Sequence, residues 1–228
     1  DGDCKIFMWN KTLEAYTKNQ TNTHESLKKS VSTLEAHIKQ KFIAMGEPLN
    51  IDYKNFSFPW EDVYEKIDQR LDDHQLASLF TRQIIIDEAQ DFPPIMFKAL
   101  SLLWFRLKNL NITFAPSVMA DENQRLERGA NSSLIAIKDS LRTFPACYDA
   151  FAESKLERNY RNTKEIANVA SKFYVGNKTG ISDSIDCRSG SKPVLFWHEK
   201  RQNKLVERII QYKINHPNNT VGVIFIQT

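Results

Sequence analysis

Ile84-Ile85-Ile86-Asp87-Glu88-Ala89-Gln90-Asp91 runs three consecutive β-branched residues directly into a group of acids. An apolar run without alternation is typical of a strand that is buried on both faces, as in a parallel sheet. In open α/β sheets, ligands bind beyond the carboxyl ends of the strands. The sequence therefore predicts an α/β fold in which Asp87 and Glu88 stand at a ligand-binding edge.

The two adjacent carboxylates suit a phosphorylated ligand. A carboxylate at this place binds Mg²⁺ through the metal's water shell. A second carboxylate beside it orients or deprotonates a water molecule that attacks a phosphate. This is the pattern of a Walker B strand, with Asp87 and Glu88 in the two roles. The alternative is a strand that simply ends in a solvated acidic turn.

Length and composition are those of an ordinary globular protein. The 228 residues carry a net charge of +3, which is too small to indicate nucleic-acid binding by itself. The three cysteines lack metal-ligand spacing, so we expect reduced thiols in a cytoplasmic protein. No apolar run approaches the roughly 20 residues that a membrane span needs, and no membrane partner is expected.

Strand and helix patterns alternate on both sides of this stretch. Besides the strand that ends at Ile86, strands are predicted at residues 5–9, between Ile112 and Ala120, at 193–197 and at 220–226. Pro116 interrupts the second of these, so its paired part is expected at Ser117–Ala120 or as an irregular edge. Helices are predicted at residues 10–19, 22–42, 60–79 and 94–107, from a cap at Ser132 or Ser133 to about Thr143, behind the capping pattern at 162–165, and at 199–214. Residues 20–80 then form a helical insert, whose lysines are more simply a solvated face than a nucleic-acid contact.

Three polar motifs follow one another along the chain. They are Asp87-Glu88-Ala89-Gln90-Asp91, Asp121-Glu122-Asn123-Gln124 and Asn159-Tyr160-Arg161-Asn162-Thr163. Their order and their places in the strand–helix pattern resemble the superfamily 1 helicases of the UvrD/Rep type, over about residues 4–228. The resemblance implies a RecA-like P-loop NTPase fold, a parallel sheet flanked by helices. A first lobe would span 1–155 with the helical insert at about 20–80, and a second RecA-like lobe would begin at 156–228.

The resemblance assigns roles to five residues in an ATP site. Asp87 would bind the Mg²⁺ of Mg-ATP, and Glu88 would act on the attacking water. Gln124 would sense the γ-phosphate and link it to the nucleic-acid-binding loops. Tyr160 would stack on the adenine, and Arg161 would be an arginine finger from the second lobe. Taken singly, Gln124 also fits a polar loop residue, and Tyr160 beside Arg161 fits a buried tyrosine next to a surface arginine.

Trp9-Asn10-Lys11 resembles the helix start that touches single-stranded nucleic acid in the same family. The implied partner is single-stranded or partly duplex nucleic acid, with DNA favoured over RNA. The residue type alone favours Trp9 as a core residue. A protein partner or a fused domain stays open as a further expectation.

Some features of the family are missing from the sequence. No G-x-x-x-x-G-K-[ST] loop, which wraps the phosphates with its backbone amides, occurs in the 228 residues. In the family, that loop lies just upstream of the strand that corresponds to residue 5. The family's later motifs, which follow the further strands of the second lobe, are also absent from the sequence. The loop after Gln124 reads Arg125-Leu126-Glu127-Arg128-Gly129 and contains no aromatic residue to stack on a base.

We therefore expect a fragment of an ATP-dependent helicase or translocase that hydrolyses ATP negligibly by itself. The first alternative is a degenerate helicase-like module that binds a protein partner and has no catalysis. A superfamily 2 translocase is a further alternative, against which Gln90-Asp91 and Asn159-Tyr160-Arg161 argue.

Overall fold

The computed structural model describes residues 4–21, 24–52, 54, 57–125, 131–144, 152–158, 161–174, 176, 187–194, 202–219 and 221. The chain divides into two compact units, Asp1–Glu157 with Tyr174–Ser182 and Arg158–Phe173 with Asp183–Thr228. The first unit contains a parallel sheet flanked by helices, so the α/β class predicted from the sequence is confirmed.

Four strands build the described sheet, and each neighbouring pair is parallel. In chain order they are β1 Cys4–Met8, β2 Val31–Thr33, β3 Gln83–Ile86 and β4 Ala115–Val118. Their order in the sheet is β2-β1-β3-β4. Ile84 and Ile86 of the central strand are buried, as the unbroken apolar run predicts. All four carboxyl ends therefore lie at one edge of the sheet.

β4 lies at an edge of the described sheet, and this position explains how the strand accommodates Pro116. Proline cannot donate to a sheet ladder and is therefore confined largely to edge strands and bulges. Pro116 stands opposite Ile84 of β3, and the pairing runs from Ala115 to Val118. The edge placement agrees with the prediction, but the paired segment begins before the expected start at Ser117.

Helices pack around the sheet of the first unit. They are α1 Lys11–Gln20, α2 Glu25–Ser30, α3 Leu34–Ala44, α4 Trp60–Gln69, α5 Asp73–Leu79, α6 Pro94–Asn109 and α7 Leu134–Leu141. The second unit contains α8 Lys164–Ser171 and α9 Gln202–Asn215. The core of the first unit includes the fully buried Phe7, Phe92 and Phe97. α6, which confirms the predicted helix at 94–107, contributes the largest share of buried helical side chains.

The predicted continuous helix from 22 to 42 is wrong at Val31–Thr33, which forms β2. Val31 stands opposite Ile6 of β1 and is 1% exposed. Two of the three residues are β-branched and fit a pleated surface better than a helix interior. The apolar spacing survives this change because Leu34 and Ile38 of α3 also face the core. Residues 20–80 therefore contribute a strand to the sheet as well as helices.

The predicted helix at 60–79 is divided in two. Asp72 accepts the N–H of Gln75 over 2.8 Å, and Asp72 N–H donates to the side chain of Gln75 over 3.0 Å. This reciprocal capping box starts α5 and separates it from α4. In the second unit, α9 at Gln202–Asn215 corresponds to the helix predicted at 199–214.

The strands predicted at 193–197 and 220–226 lie largely outside the described residues, which include only 193, 194 and 221 of them.

Candidate functional site

The loop after β3 begins by continuing the hydrogen bonding of the sheet. Asp87 N–H donates to Phe7 O over 3.0 Å, which places Asp87 at the carboxyl edge, as predicted. Oδ1 of Asp87 accepts the N–H of Glu88 over 3.0 Å. Oδ2 accepts no hydrogen bond from the described residues, and Asp87 is half-buried. One carboxylate oxygen is therefore available to a ligand at this edge.

Glu88 turns the chain sharply through the left-handed region, with φ 51° and ψ 43°. This conformation costs a non-glycine residue about 1–2 kcal/mol. The turn is supported by Ala89 N–H, which donates to Met119 O over 2.9 Å, and by Asp91 N–H, which donates to Glu88 O over 3.0 Å. Backbone strain of this kind clusters at functional sites, where the surrounding structure maintains it.

The side chain of Gln90 joins this loop to the loop after β4. Gln90 is 1% exposed and lies in the 3₁₀ turn Ala89–Asp91. Its Nε2 donates to Glu88 Oε2 over 2.7 Å. Its Oε1 accepts the N–H of Asp121 over 3.0 Å. The two acidic loops are therefore bridged by one buried amide.

The loop after β4 carries the second predicted motif. Asp121 caps the 3₁₀ turn Glu122–Gln124 by accepting the N–H of Asn123 at Oδ1 over 2.9 Å. Oδ2 of Asp121 accepts a hydrogen bond from Gln124 Nε2 over 2.8 Å. Since Asp121 also bonds Gln90, a continuous path of hydrogen bonds connects the exposed Gln124 with Glu88.

Asp91 is held by the segment that leads into α7. Asn131 Nδ2 donates to Asp91 Oδ1 over 3.1 Å, and Ser132 N–H donates to Gln90 O over 2.9 Å. Burial raises the pKa of the Asp91 carboxyl, the charge of Glu88 raises it further, and the Asn131 hydrogen bond opposes both. The acidic loop therefore holds carboxylates close together, and a bound cation would reduce the repulsion between them.

Trp9-Asn10-Lys11, the segment predicted to touch nucleic acid, follows β1 at the same edge. Trp9 is half-buried and packs edge-on against Phe92, with the ring centroids 4.9 Å apart. Asn10 caps α1, since its Oδ1 accepts the N–H of Leu13 over 2.9 Å. Lys11 is exposed in the first turn. Trp9 thus packs as part of the core, and Lys11 presents its charge to solvent.

The remaining predicted residues belong to the second unit. Tyr160 lies outside the described residues, and Arg161 is exposed just before α8. Thr163 caps α8 by accepting the N–H of Ile166 over 3.4 Å, so the cap lies one residue after Asn162, where the predicted capping box 162–165 would put it. Glu165 Oε2 accepts the N–H of Gly190 over 2.8 Å, which anchors the start of this helix.

The structure brings Asp87, Glu88 and Gln124 to one edge of the sheet, with Trp9-Asn10-Lys11 after the neighbouring strand. Sequence reasoning gave no role to Gln90 or Asn131, although both hold the acidic loop. The sequence offers a clue to the role of Gln90, because this residue lies two positions after Glu88 in a turn. It offers no clue to the role of Asn131, since the partner of Asn131 is distant in sequence.

Oxygen donors at this edge fit Mg²⁺. Within the described ranges, no three His, Cys, Asp or Glu side chains form a ready metal cluster. Mg²⁺ is commonly held by one or two carboxylates, with water and substrate phosphates completing its octahedral shell. The available Oδ2 of Asp87 is a ligand of the required kind.

No protein-family model matches this chain, and no curated protein matches it either. A separate finding concerns membranes: none of the helices in the described part of the chain has the length and apolar character that crossing a bilayer requires.

Proposed function

We propose that this chain carries the acidic half of a Mg-ATP site in a RecA-like, superfamily 1 helicase-type ATPase. The observation that supports the proposal most is the bonded pair of loops after β3 and β4. Glu88 and Gln124, which the resemblance gives to the attacking water and the γ-phosphate, belong to one hydrogen-bonded path. The path lies beyond the carboxyl ends of parallel strands, and nucleotides bind at that position in open α/β folds, which supports the proposal.

Each residue of the edge has a definite part in phosphoryl transfer. Mg²⁺, when bound with ATP, neutralises charge that develops on the phosphates. Asp87 would hold the metal's water shell through Oδ2, while its Oδ1 is bonded to Glu88 N–H. Glu88 orients the attacking water and accepts its proton. Gln124 donates to the γ-phosphate by exchanging its bond with Asp121 for a bond with the ligand.

The resemblance assigns the remaining parts of this proposal to the segment around Arg161. Tyr160 would stack on the adenine, and Arg161 would act on the γ-phosphate as an arginine finger. An arginine from another lobe makes turnover depend on closure of a cleft, which is how such enzymes couple hydrolysis to movement. The nucleic-acid partner is single-stranded or partly duplex DNA, contacted through the start of α1 at Asn10 and Lys11, in a cytoplasmic setting.

Binding of Mg-ATP to the chain tests the proposal without requiring turnover. In a ¹H–¹⁵N NMR titration, Mg-ATP is expected to shift the amide signals of Asp87, Glu88, Asp121 and Gln124. Asp87→Asn should remove these shifts, because a neutral amide is a much weaker ligand for Mg²⁺. Asp139→Asn is the matched control, since Asp139 is an exposed carboxylate on α7.

Two results would contradict the proposal. One is an absence of shifts at the sheet edge at millimolar Mg-ATP, which would favour the non-catalytic module that binds a protein partner. The other is a set of shifts that Asp87→Asn and Asp139→Asn reduce equally, which would place the nucleotide elsewhere on the chain.

A further inference from the structure

Gln90 combines nearly complete burial with full use of its side-chain polar atoms. The residue is 1% exposed, Nε2 bonds Glu88 Oε2 at 2.7 Å, and Oε1 bonds Asp121 N–H at 3.0 Å. A buried amide that lost one of these partners would pay the desolvation cost of an unpaired group. Both contacts therefore restrict the side chain to one position.

The chemistry of the two partners determines which way this amide faces. A backbone N–H can only donate, and an ionised carboxylate can only accept. An amide turned by half a rotation would place its NH₂ against the Asp121 N–H and its oxygen against the Glu88 carboxylate. Both contacts would then be repulsive, so the observed orientation is the only one that satisfies Gln90, Glu88 and Asp121 together.

This arrangement decides how Glu88 presents its carboxylate. With Oε2 engaged by Gln90, Oε1 accepts no hydrogen bond from the described residues. A carboxylate that is fixed at one oxygen and open at the other suits a group that must hold a water in one direction. The bond that Gln124 Nε2 donates to Asp121 Oδ2 extends the same path along the loop after β4.

We propose that Gln90 is the positioning residue of this site, which orients the Glu88 carboxylate and makes that orientation depend on the loop carrying Gln124. The inference rests on the proposed function for the role of Glu88. Its structural content is that a ligand moving Gln124 and Asp121 also moves the N–H donor that holds Oε1 of Gln90. Gln90 acts through Glu88 and touches no substrate itself.

Two substitutions separate the two bonds of Gln90. Gln90→Met keeps the approximate shape and removes both bonds, so hydrogen exchange at Asp121 N–H should become about tenfold faster. Gln90→Glu keeps an acceptor for Asp121 N–H but sets a second carboxylate against Glu88. Asp121 should then stay protected, while the like charges lower the denaturation midpoint at neutral pH.

The dependence on pH distinguishes positioning from simple packing. In Gln90→Glu, lowering the pH from about 8 to about 5 protonates one carboxyl of the new pair and restores a donor, so the loss in midpoint should shrink. In Gln90→Met the loss should not vary with pH. Asp87, Asp91, Asp121 and Glu122 are the other carboxylates on these loops, and both variants retain them. Gln83→Glu, at the exposed start of β3, adds the same charge without the pairing and should show no such recovery.

Two results would overturn the inference. One is a loss in denaturation midpoint in Gln90→Glu that stays the same at every pH. The other is an unchanged rate of hydrogen exchange at Asp121 N–H in Gln90→Met. If either variant fails to fold, a measurement on the unaltered chain tests the inference instead. A scalar coupling across the hydrogen bond from the Asp121 nitrogen to the Gln90 side-chain carbonyl carbon is expected there, and its absence refutes the bridge.

These measurements need no nucleotide, so the two proposals can fail separately. If the Gln90 signals behave as expected and Mg-ATP shifts nothing, the nucleotide site is wrong and the positioning of Glu88 stands. If Mg-ATP shifts the sheet edge but Gln90 shows neither bond, the ATP site stands and the positioning role is wrong.

Discussion

Asn131 donates a hydrogen bond from Nδ2 to Asp91 Oδ1 over 3.1 Å, although the two residues are 40 positions apart in the chain. The bond joins the segment before α7 to the 3₁₀ turn that contains Gln90. It also lowers the pKa of a carboxyl group that burial and the charge of Glu88 push upwards. The negative charge on the acidic loop therefore depends on a residue outside every predicted motif.

Asn131→Leu is expected to raise the pKa of Asp91 further, because the opposing hydrogen bond is lost. A carboxyl whose folded-state pKa is raised destabilises the fold above that pKa, and the penalty is relieved as the pH falls through it. The recovery of stability on acidification should therefore begin at a higher pH in the variant. Carboxyl ¹³C titration and urea denaturation measure the two effects. Asn168→Leu on exposed α8 is the control, and an unchanged Asp91 titration would contradict the prediction.

Glu88→Gly should be more stable than Glu88→Ala by about 1 kcal/mol, since alanine strains the left-handed backbone and glycine does not. Both variants lack the carboxylate, so the lost bond to Gln90 cancels in the comparison. Asp139 on α7 provides a control of opposite sign, where glycine should be the less stable by about 1 kcal/mol. Denaturation midpoints measure these differences in stability. Equal stabilities of Glu88→Ala and Glu88→Gly would mean that the turn is unstrained.

The 228-residue chain by itself is expected to show no steady ATP turnover. It contains no G-x-x-x-x-G-K-[ST] loop to hold the β- and γ-phosphates, which is the main positioning element in P-loop enzymes. A phosphate-release assay of the purified chain checks this. Steady release that disappears in Glu88→Gln would show the prediction to be wrong, whereas release that persists in Glu88→Gln indicates a contaminant.

Lys11→Ala should weaken binding of a single-stranded oligonucleotide and reduce the salt dependence of log K by about 0.7, the effect of one phosphate contact on a single strand. Lys18→Ala is the matched control on the same helix, because Lys18 is paired with Glu14. Fluorescence anisotropy at several salt concentrations gives both slopes. Equal slopes for the two variants would remove Lys11 from the nucleic-acid contact.

Local sequence was sufficient where the deciding interactions are short in range. The unbroken run Ile84–Ile86 predicted a strand buried in a parallel sheet, with Asp87 and Glu88 at its carboxyl end. The cap of α7 was also predictable, since Ser133 bonds an amide three residues further along, and the cap of α8 was predicted to within one residue. In each case the residues that make the structure are neighbours in the chain.

Tertiary structure alone decided the features that depend on distant partners. β2 forms because pairing with β1 outweighs the helical spacing that surrounds Val31. Gln90 acquires its place from Asp121, which is 31 residues away, and Asp91 depends on Asn131 in the same way. Spacing within one segment carries no information about such contacts, because they arise only when the loops after β3 and β4 meet at the edge of the sheet. The sequence by itself thus determined which residues reach that edge, and the packing of the sheet determined how they are joined.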